Sequence, residues 1–281
     1  MQWKCGVATP QSLLLFGLLF APPSIAFAQQ TSPTSAQPVD LSLDEILLRL
    51  QNNLTNYKSS VPNFFCDERV VSNMDLRGRP YTSTTTDSIF RLKRTIDPNG
   101  IHLNESREIK TVNKVPTHTE TLRGPVIFAG AFSNALNVVS LDLKGCYEYR
   151  LIPNGLLNHA PALVIDYSLK ETVVNDKICP GSEQHNGRAF IDPQTMQIVR
   201  LEMRTPEHQI SAGTFGPWFW SIDYAPVVFD NKSFWMPETI TSKAVAQSQN
   251  IDWSFVATYR NYHELNVTSR ILPEVDLNPK Q

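Results

Sequence analysis

Alternation of apolar and polar residues with a period of two is the feature that most constrains this chain. It is clearest in Gly187–Pro206, GRAFIDPQTMQIVRLEMRTP, where two alternating runs, Arg188–Ile191 and Met196–Met203, flank Asp192-Pro193-Gln194-Thr195. Proline fixes the backbone angle needed at the second position of a type I turn, and a preceding aspartate accepts bonds from the turn amides. In the second run Val199, Leu201 and Met203 share one face, and Ile198, Arg200, Glu202 and Arg204 share the other. The segment reads as a β-hairpin with one dry face and one mostly wet face.

The same period returns along most of the chain. Strand-like runs are Asn63–Ser72, Thr85–Lys93, Ile101–Thr111, Cys146–Ile152, Leu163–Leu169, Trp218–Ala225, Phe234–Ala246 and Trp253–Arg260. Turn chemistry separates them at Gly78-Arg79-Pro80, Asp97-Pro98-Asn99-Gly100, Pro153-Asn154-Gly155 and Asp230-Asn231-Lys232-Ser233. Pro237 interrupts one run and marks an edge or a bulge there. Two helices are expected. The first starts at a capping box, Ser42 with Glu45, and carries Ile46, Leu47, Leu50, Leu54 and Tyr57 on one stripe to about Lys58. The second covers Gly124–Leu141, where Phe128, Phe132, Leu136 and Val139 recur at helical spacing. The fold class expected is mainly β: a large curved antiparallel sheet, a half-open barrel, with about two helices on its concave face.

The beginning of the chain has a different character. Met1–Ala28 holds one basic residue, Lys4, a short apolar run Leu13–Ala21, and small residues in Ala26-Phe27-Ala28, the pattern of a cleaved secretory signal. Residues 29–40 are Pro-, Ser- and Gln-rich and read as a flexible leader. Residues 41–273 then form a single β-rich domain and 274–281 a tail. No later run reaches the roughly 20 apolar residues of a membrane helix, so no integral span is expected after signal removal. Net charge is −2, or −3 without Lys4, and no basic stripe is present, which argues against nucleic acid as a partner. Export places the chain in the periplasm or outside the cell, where disulfides persist. Of Cys66, Cys146 and Cys179, the pair Cys146–Cys179 is favoured, because Gly145-Cys146 opens one strand and Cys179-Pro180-Gly181 lies in the loop before another. Cys66, beside Phe64-Phe65, then stays a buried thiol. The histidines are scattered and no Cys-x-x-Cys pair occurs, so neither a metal nor any other cofactor is expected.

This order of parts (signal, first helix, long up-and-down sheet, mid-chain helix) resembles the lipoprotein-carrier superfamily over about Leu41 to Leu265. The resemblance implies an apolar cavity between sheet and helices that holds acyl chains. Leu54-Thr55-Asn56-Tyr57 through Val61-Pro62-Asn63-Phe64-Phe65-Cys66, Gly187-Arg188-Ala189-Phe190-Ile191-Asp192-Pro193, and Ala257-Thr258-Tyr259-Arg260-Asn261-Tyr262 are also similar to segments of a group of secreted Gram-negative bacterial proteins. Neither resemblance transfers a binding residue by motif.

Catalytic chemistry finds little support. There is no Gly-x-Ser-x-Gly nucleophile turn and no phosphate-cradling glycine loop. Ser182, Glu183 and His185 lie together in a polar loop, and carboxylate pairs such as Asp67/Glu68 or Asp223/Glu238 carry no weight among 27 acids. The aromatic and aliphatic set Phe128, Phe132, Leu136, Leu201, Trp218, Trp220, Tyr224, Trp253, Phe255 and Tyr259 either lines a ligand cavity or fills the sheet core. The function expected is a non-enzymatic exported protein that binds a lipid, acyl chain or lipoprotein segment. The rivals are an envelope protein-interaction or sensing module without a small ligand, and a secreted hydrolase.

Overall fold

The computed structural model describes residues 41–98, 100–117, 119, 130–173, 179, 184–210, 213–246 and 250–265. The expected signal, leader and tail, and Phe128, lie outside them.

Helix α1 spans Leu43–Ser60. The capping box is formed as expected: the Ser42 hydroxyl accepts from the Glu45 amide, and the Glu45 carboxylate accepts from the Ser42 amide at 2.8 Å. Ile46, Leu47 and Leu50 are the buried part of its apolar stripe. Its last turn is tied to the fold by Tyr57, which donates to the Phe132 carbonyl at 3.0 Å, and by Lys58, which donates to Asn137 at 2.7 Å.

The strands are β1 (Phe64–Leu76), β2 (Arg79–Asp97), β3 (Gly100–Val112), β4 (Val115–Pro116), β5 (Tyr147–Ile152), β6 (Leu156–Leu157), β7 (Ala160–Pro161), β8 (Leu163–Leu169), β9 (Asn186–Ile191), β10 (Ile198–Thr205), β11 (His208–Ile210), β12 (Gly213–Phe215), β13 (Trp218–Phe229), β14 (Lys232–Ala246) and β15 (Ile251–Glu264). Eleven form one open antiparallel sheet in the order β4-β3-β2-β1-β15-β14-β13-β10-β9-β8-β5, so the first and last long strands pair in its interior. The expected mainly β architecture is present. Pro237 sits at a bulge, where Tyr224 faces Pro237 and Asp223 faces Thr239, and not at an edge.

One face of the sheet is dry. At the α1 end Phe64 is enclosed by the rings of Phe90, Phe132, Phe229 and Tyr262, with centroids 5.5 to 6.3 Å away. Cys66 is fully buried there, and burial, then the neighbouring Glu68 and Asp67 carboxylates, push its thiol pKa far above the ordinary range.

The Gly187–Pro206 segment is a hairpin, and the Asp192 carboxylate accepts from the Gln194 amide and the Thr195 hydroxyl, both at 2.9 Å. One expectation fails. Ile198 was assigned to the wet row, yet it is buried in the core. The cause is a bulge: Ile198 faces Ile191 while Arg200 faces Phe190, so the residue between them has no partner and the alternation slips by one. Gly187 has a packing role. Any side chain there would collide with the Glu202 carbonyl and with the Tyr167 ring, whose hydroxyl donates to that carbonyl at 2.8 Å. Gly187→Ala should therefore lower unfolding free energy by about 1–3 kcal/mol in a urea titration, the usual range for forced overpacking.

The second expected helix is not α-helical in its described part. Ala135–Val138 and Leu141–Leu143 are 3₁₀ turns, preceded by a tight turn at Gly130, whose φ is +85°. Ser133, Asn134, Asn137 and Ser140 offer side-chain alternatives to helical bonding. In addition, Glu105 on β3 captures the amides of Gly130 (3.3 Å), Phe132 (3.0 Å) and Ser133 (2.9 Å). Three amides drawn to one carboxylate do not continue a helix, but they hold Phe132 against Phe90, 4.4 Å between ring centroids.

Candidate functional site

The dry face carries a buried ionic cluster. Glu68 on β1 is 2% exposed and accepts from Arg107 Nε (2.9 Å to both oxygens), the Ser88 hydroxyl (2.7 Å) and the Tyr259 hydroxyl (2.9 Å). Strand register dictates this meeting, since Glu68 faces Ser88 on β2 and Tyr259 on β15, while Arg107 faces Phe90 one pleat away. The guanidinium also lies over the Phe90 ring, 5.2 Å from its centroid. Burial, reinforced by Glu68, raises the Tyr259 phenol pKa far above its ordinary value. The carboxylate is engaged by all three groups. The cluster ties β1, β2, β3 and β15 together.

The residues expected to line a cavity mostly meet in this core. Phe132, Leu201, Trp220, Tyr224, Phe255 and Tyr259 are buried, and Trp218 and Trp253 are half-buried together around Ala244. Leu136 borders a cavity of about 190 Å³ between α1 and the sheet, shared with Leu50, Leu54, Tyr57, Val139 and Phe234.

A larger concavity, about 950 Å³, lies over β5, β8, β9, β10, β13, β14 and β15. Its position follows from the alternation. Phe219 (42% exposed) and Val256 (40% exposed) line it, and each adjoins in sequence a buried residue of the dry face, Trp220 or Phe255. The groove thus opens on the face opposite α1, and the row Met203, Trp220 and Phe255, whose side chains turn to the dry face, borders it from beneath. A polar ladder crosses one side of it: Arg150, Asp166, Arg188 and Glu202 occupy facing positions on four successive strands. Asp166 bonds Arg188 at 2.6 Å and Arg150 at 2.9 Å. Beyond the ladder the same row becomes Ser221, Thr241 and Val256, where the two hydroxyls bond each other at 2.7 Å. The next row places Arg204, Phe219 and Lys243 on adjacent strands.

Sequence reasoning assigned Arg200, Glu202 and Arg204 to a solvent-facing row, and they do lie off the core. It missed that Glu202 and Arg204 of this row wall a groove. The available signal was Phe219 and Val256, large apolar residues at wet positions of two strands.

The hydrogen bond from Arg188, aided by Arg150, holds the Asp166 pKa below its ordinary value despite partial burial. A depressed carboxylate contributes stability above its unfolded pKa, about 4, and loses it as pH falls through the folded value. Asp166→Asn should therefore lower the melting temperature at pH 7, with a difference from the parent that shrinks toward pH 2. A pH-independent difference would contradict the assignment.

The disulfide joins Cys146 and Cys179, with Cα atoms 5.5 Å apart, as expected from their positions. Among the described residues no helix is long and apolar enough to cross a membrane.

No family model matches the chain, and no curated protein matches it. Solved structures do. A DUF1329 family protein from Desulfovibrio piger ATCC 29098 shares 9% identity over 79% of this chain and 94% of its own, with a TM-score of 0.40. A LolA superfamily protein from Nitrosomonas europaea shares 8% identity over 78% of this chain and 94% of its own, with a TM-score of 0.36.

Proposed function

We propose that this chain is a non-enzymatic, exported binding protein that holds a lipid, acyl chain or lipoprotein segment. The observation that carries the reading is the groove of about 950 Å³ on the open sheet face, within the size range of small-molecule sites and lined there by the exposed side chains of Phe219 and Val256. Its walls combine apolar side chains with fixed polar groups, which suits a ligand that is apolar over most of its length and polar at one end. The titratable groups nearby support binding over catalysis: Asp166 is held by two arginines and Asp223 by Arg200 at 2.6 Å. A disulfide in the fold supports an oxidising compartment.

The test is titration with an environment-sensitive acyl probe, run on the parent and on Val256→Lys. The side chain at 256 is exposed, so a charge there leaves the core intact. Saturable binding in the parent that falls at least tenfold in Val256→Lys, with an unchanged melting temperature, is the expected result. Absence of saturable binding in the parent would overturn the reading.

A further inference from the structure

Resting on that reading, we infer that the groove selects an amphiphile with an anionic head, taken up between Arg204 and Lys243 beside Phe219. The three residues face one another across β10, β13 and β14. Two strand spacings separate the cationic residues, about 10 Å between backbones, which long side chains close easily. The Arg204 guanidinium lies over the Phe219 ring, 5.1 Å from its centroid, and among the described residues it pairs with no carboxylate. Among the described residues, the carboxylate partner of Lys243 is a distant one, Asp252 at 4.0 Å.

Apart from Glu148 on the edge strand, the remaining charges of the groove are engaged elsewhere. Asp166 is shared by Arg150 and Arg188, Glu202 interacts with Arg188 and Arg200, and Asp223 is held by Arg200. The lining carries four cations, Arg150, Arg188, Arg204 and Lys243, against three acids, Glu148, Asp166 and Glu202, so the excess is positive. That excess resides on Arg204 and Lys243. An anionic head there would receive a guanidinium fork and an ammonium, while Phe219 and Val256 offer apolar contact for the first carbons of a tail. A cationic head would meet repulsion, and a neutral head would offer neither cation a close anionic partner. The shared chemistry is a carboxylate or phosphate on one acyl or alkyl chain.

The experiment measures binding to the full-length protein of four twelve-carbon probes below their micelle concentrations: laurate, dodecyl phosphate, dodecyl maltoside and dodecyltrimethylammonium. The anionic probes should bind at least tenfold tighter than dodecyl maltoside, with an advantage that shrinks in 0.5 M salt. Arg204→Gln combined with Lys243→Gln should remove the advantage, so that anionic and maltoside probes bind alike. Laurate against dodecyl phosphate distinguishes a free fatty acid from a phospholipid head. Equal binding of anionic and neutral probes, still sensitive to Val256→Lys, would overturn the inference and leave the groove reading standing. An advantage that survives the double substitution would also overturn it. Binding of none of the four would remove both.

Discussion

Glu68→Ala should cost about 3–5 kcal/mol of unfolding free energy, the usual result of removing one member of a buried ion pair. The magnitude follows from what is left behind. Arg107, with its side chain 20% exposed, would lose its charge partner, and the Ser88 and Tyr259 hydroxyls would lose their acceptor. An unsatisfied buried group keeps its desolvation cost after its bond has gone. Glu68→Gln, which keeps volume and one acceptor, should fall between parent and alanine. Glu68→Leu with Arg107→Met removes both charges and should recover much of the loss, because an apolar pair carries no desolvation cost. Urea titrations of the four proteins read this directly. A double variant as unstable as Glu68→Ala would show that the pair's own attraction, and not the orphaned arginine, dominates.

Replacing both Cys146 and Cys179 by alanine should cost on the order of 3–4 kcal/mol. The bond closes a sequence separation of 33 residues, and chain entropy in the unfolded state sets that scale. Its local consequence should be sharper than its global one. Cys146 precedes β5, the edge strand that carries Glu148 and Arg150 into the groove wall, and its carbonyl accepts from Lys170 at 3.0 Å. An edge strand is paired on one side only, so β5 has less to hold it than its neighbours. Amide exchange in the double variant should accelerate most in β5 and least in β1 and β15, and a reductant should do the same to the parent. Uniform acceleration would mean that the bond acts only on the unfolded chain.

Local chemistry made much of the architecture legible. The capping box at Ser42 and Glu45, the Asp192-Pro193 turn, the strand alternation and the cysteine pair each depend on neighbouring residues or on turn type, and sequence displays these. Three features depend on something else. The bulge after Ile198 is an extra residue between two paired positions, and an alternation rule has no place for it. The turn that precedes the 3₁₀ segments Ala135–Val138 and Leu141–Leu143 is held by Glu105, distant in sequence, which takes the amides of Gly130, Phe132 and Ser133. Glu68 looked like one acid among 27 until register set it beside Ser88, Tyr259 and Arg107.

The groove was hidden for a related reason. Alternation states which side chains share a face but not which way the sheet bends. Trp220, Tyr224, Phe255 and Tyr259 were assigned together as candidates, and they do lie together, buried on the dry face. Phe219 and Val256, one residue away from two of them, line the larger concavity.

On the proposed function, the ligand would lie on the open face of the sheet, not between the sheet and α1. Photo-crosslinking with a diazirine-bearing fatty acid, mapped residue by residue by mass spectrometry, tests it most directly. Labels are expected on Phe219, Ser221 and Val256, which share the open face. Labels concentrated on Leu54, Leu136 and Val139, around the small cavity beside α1, would contradict it.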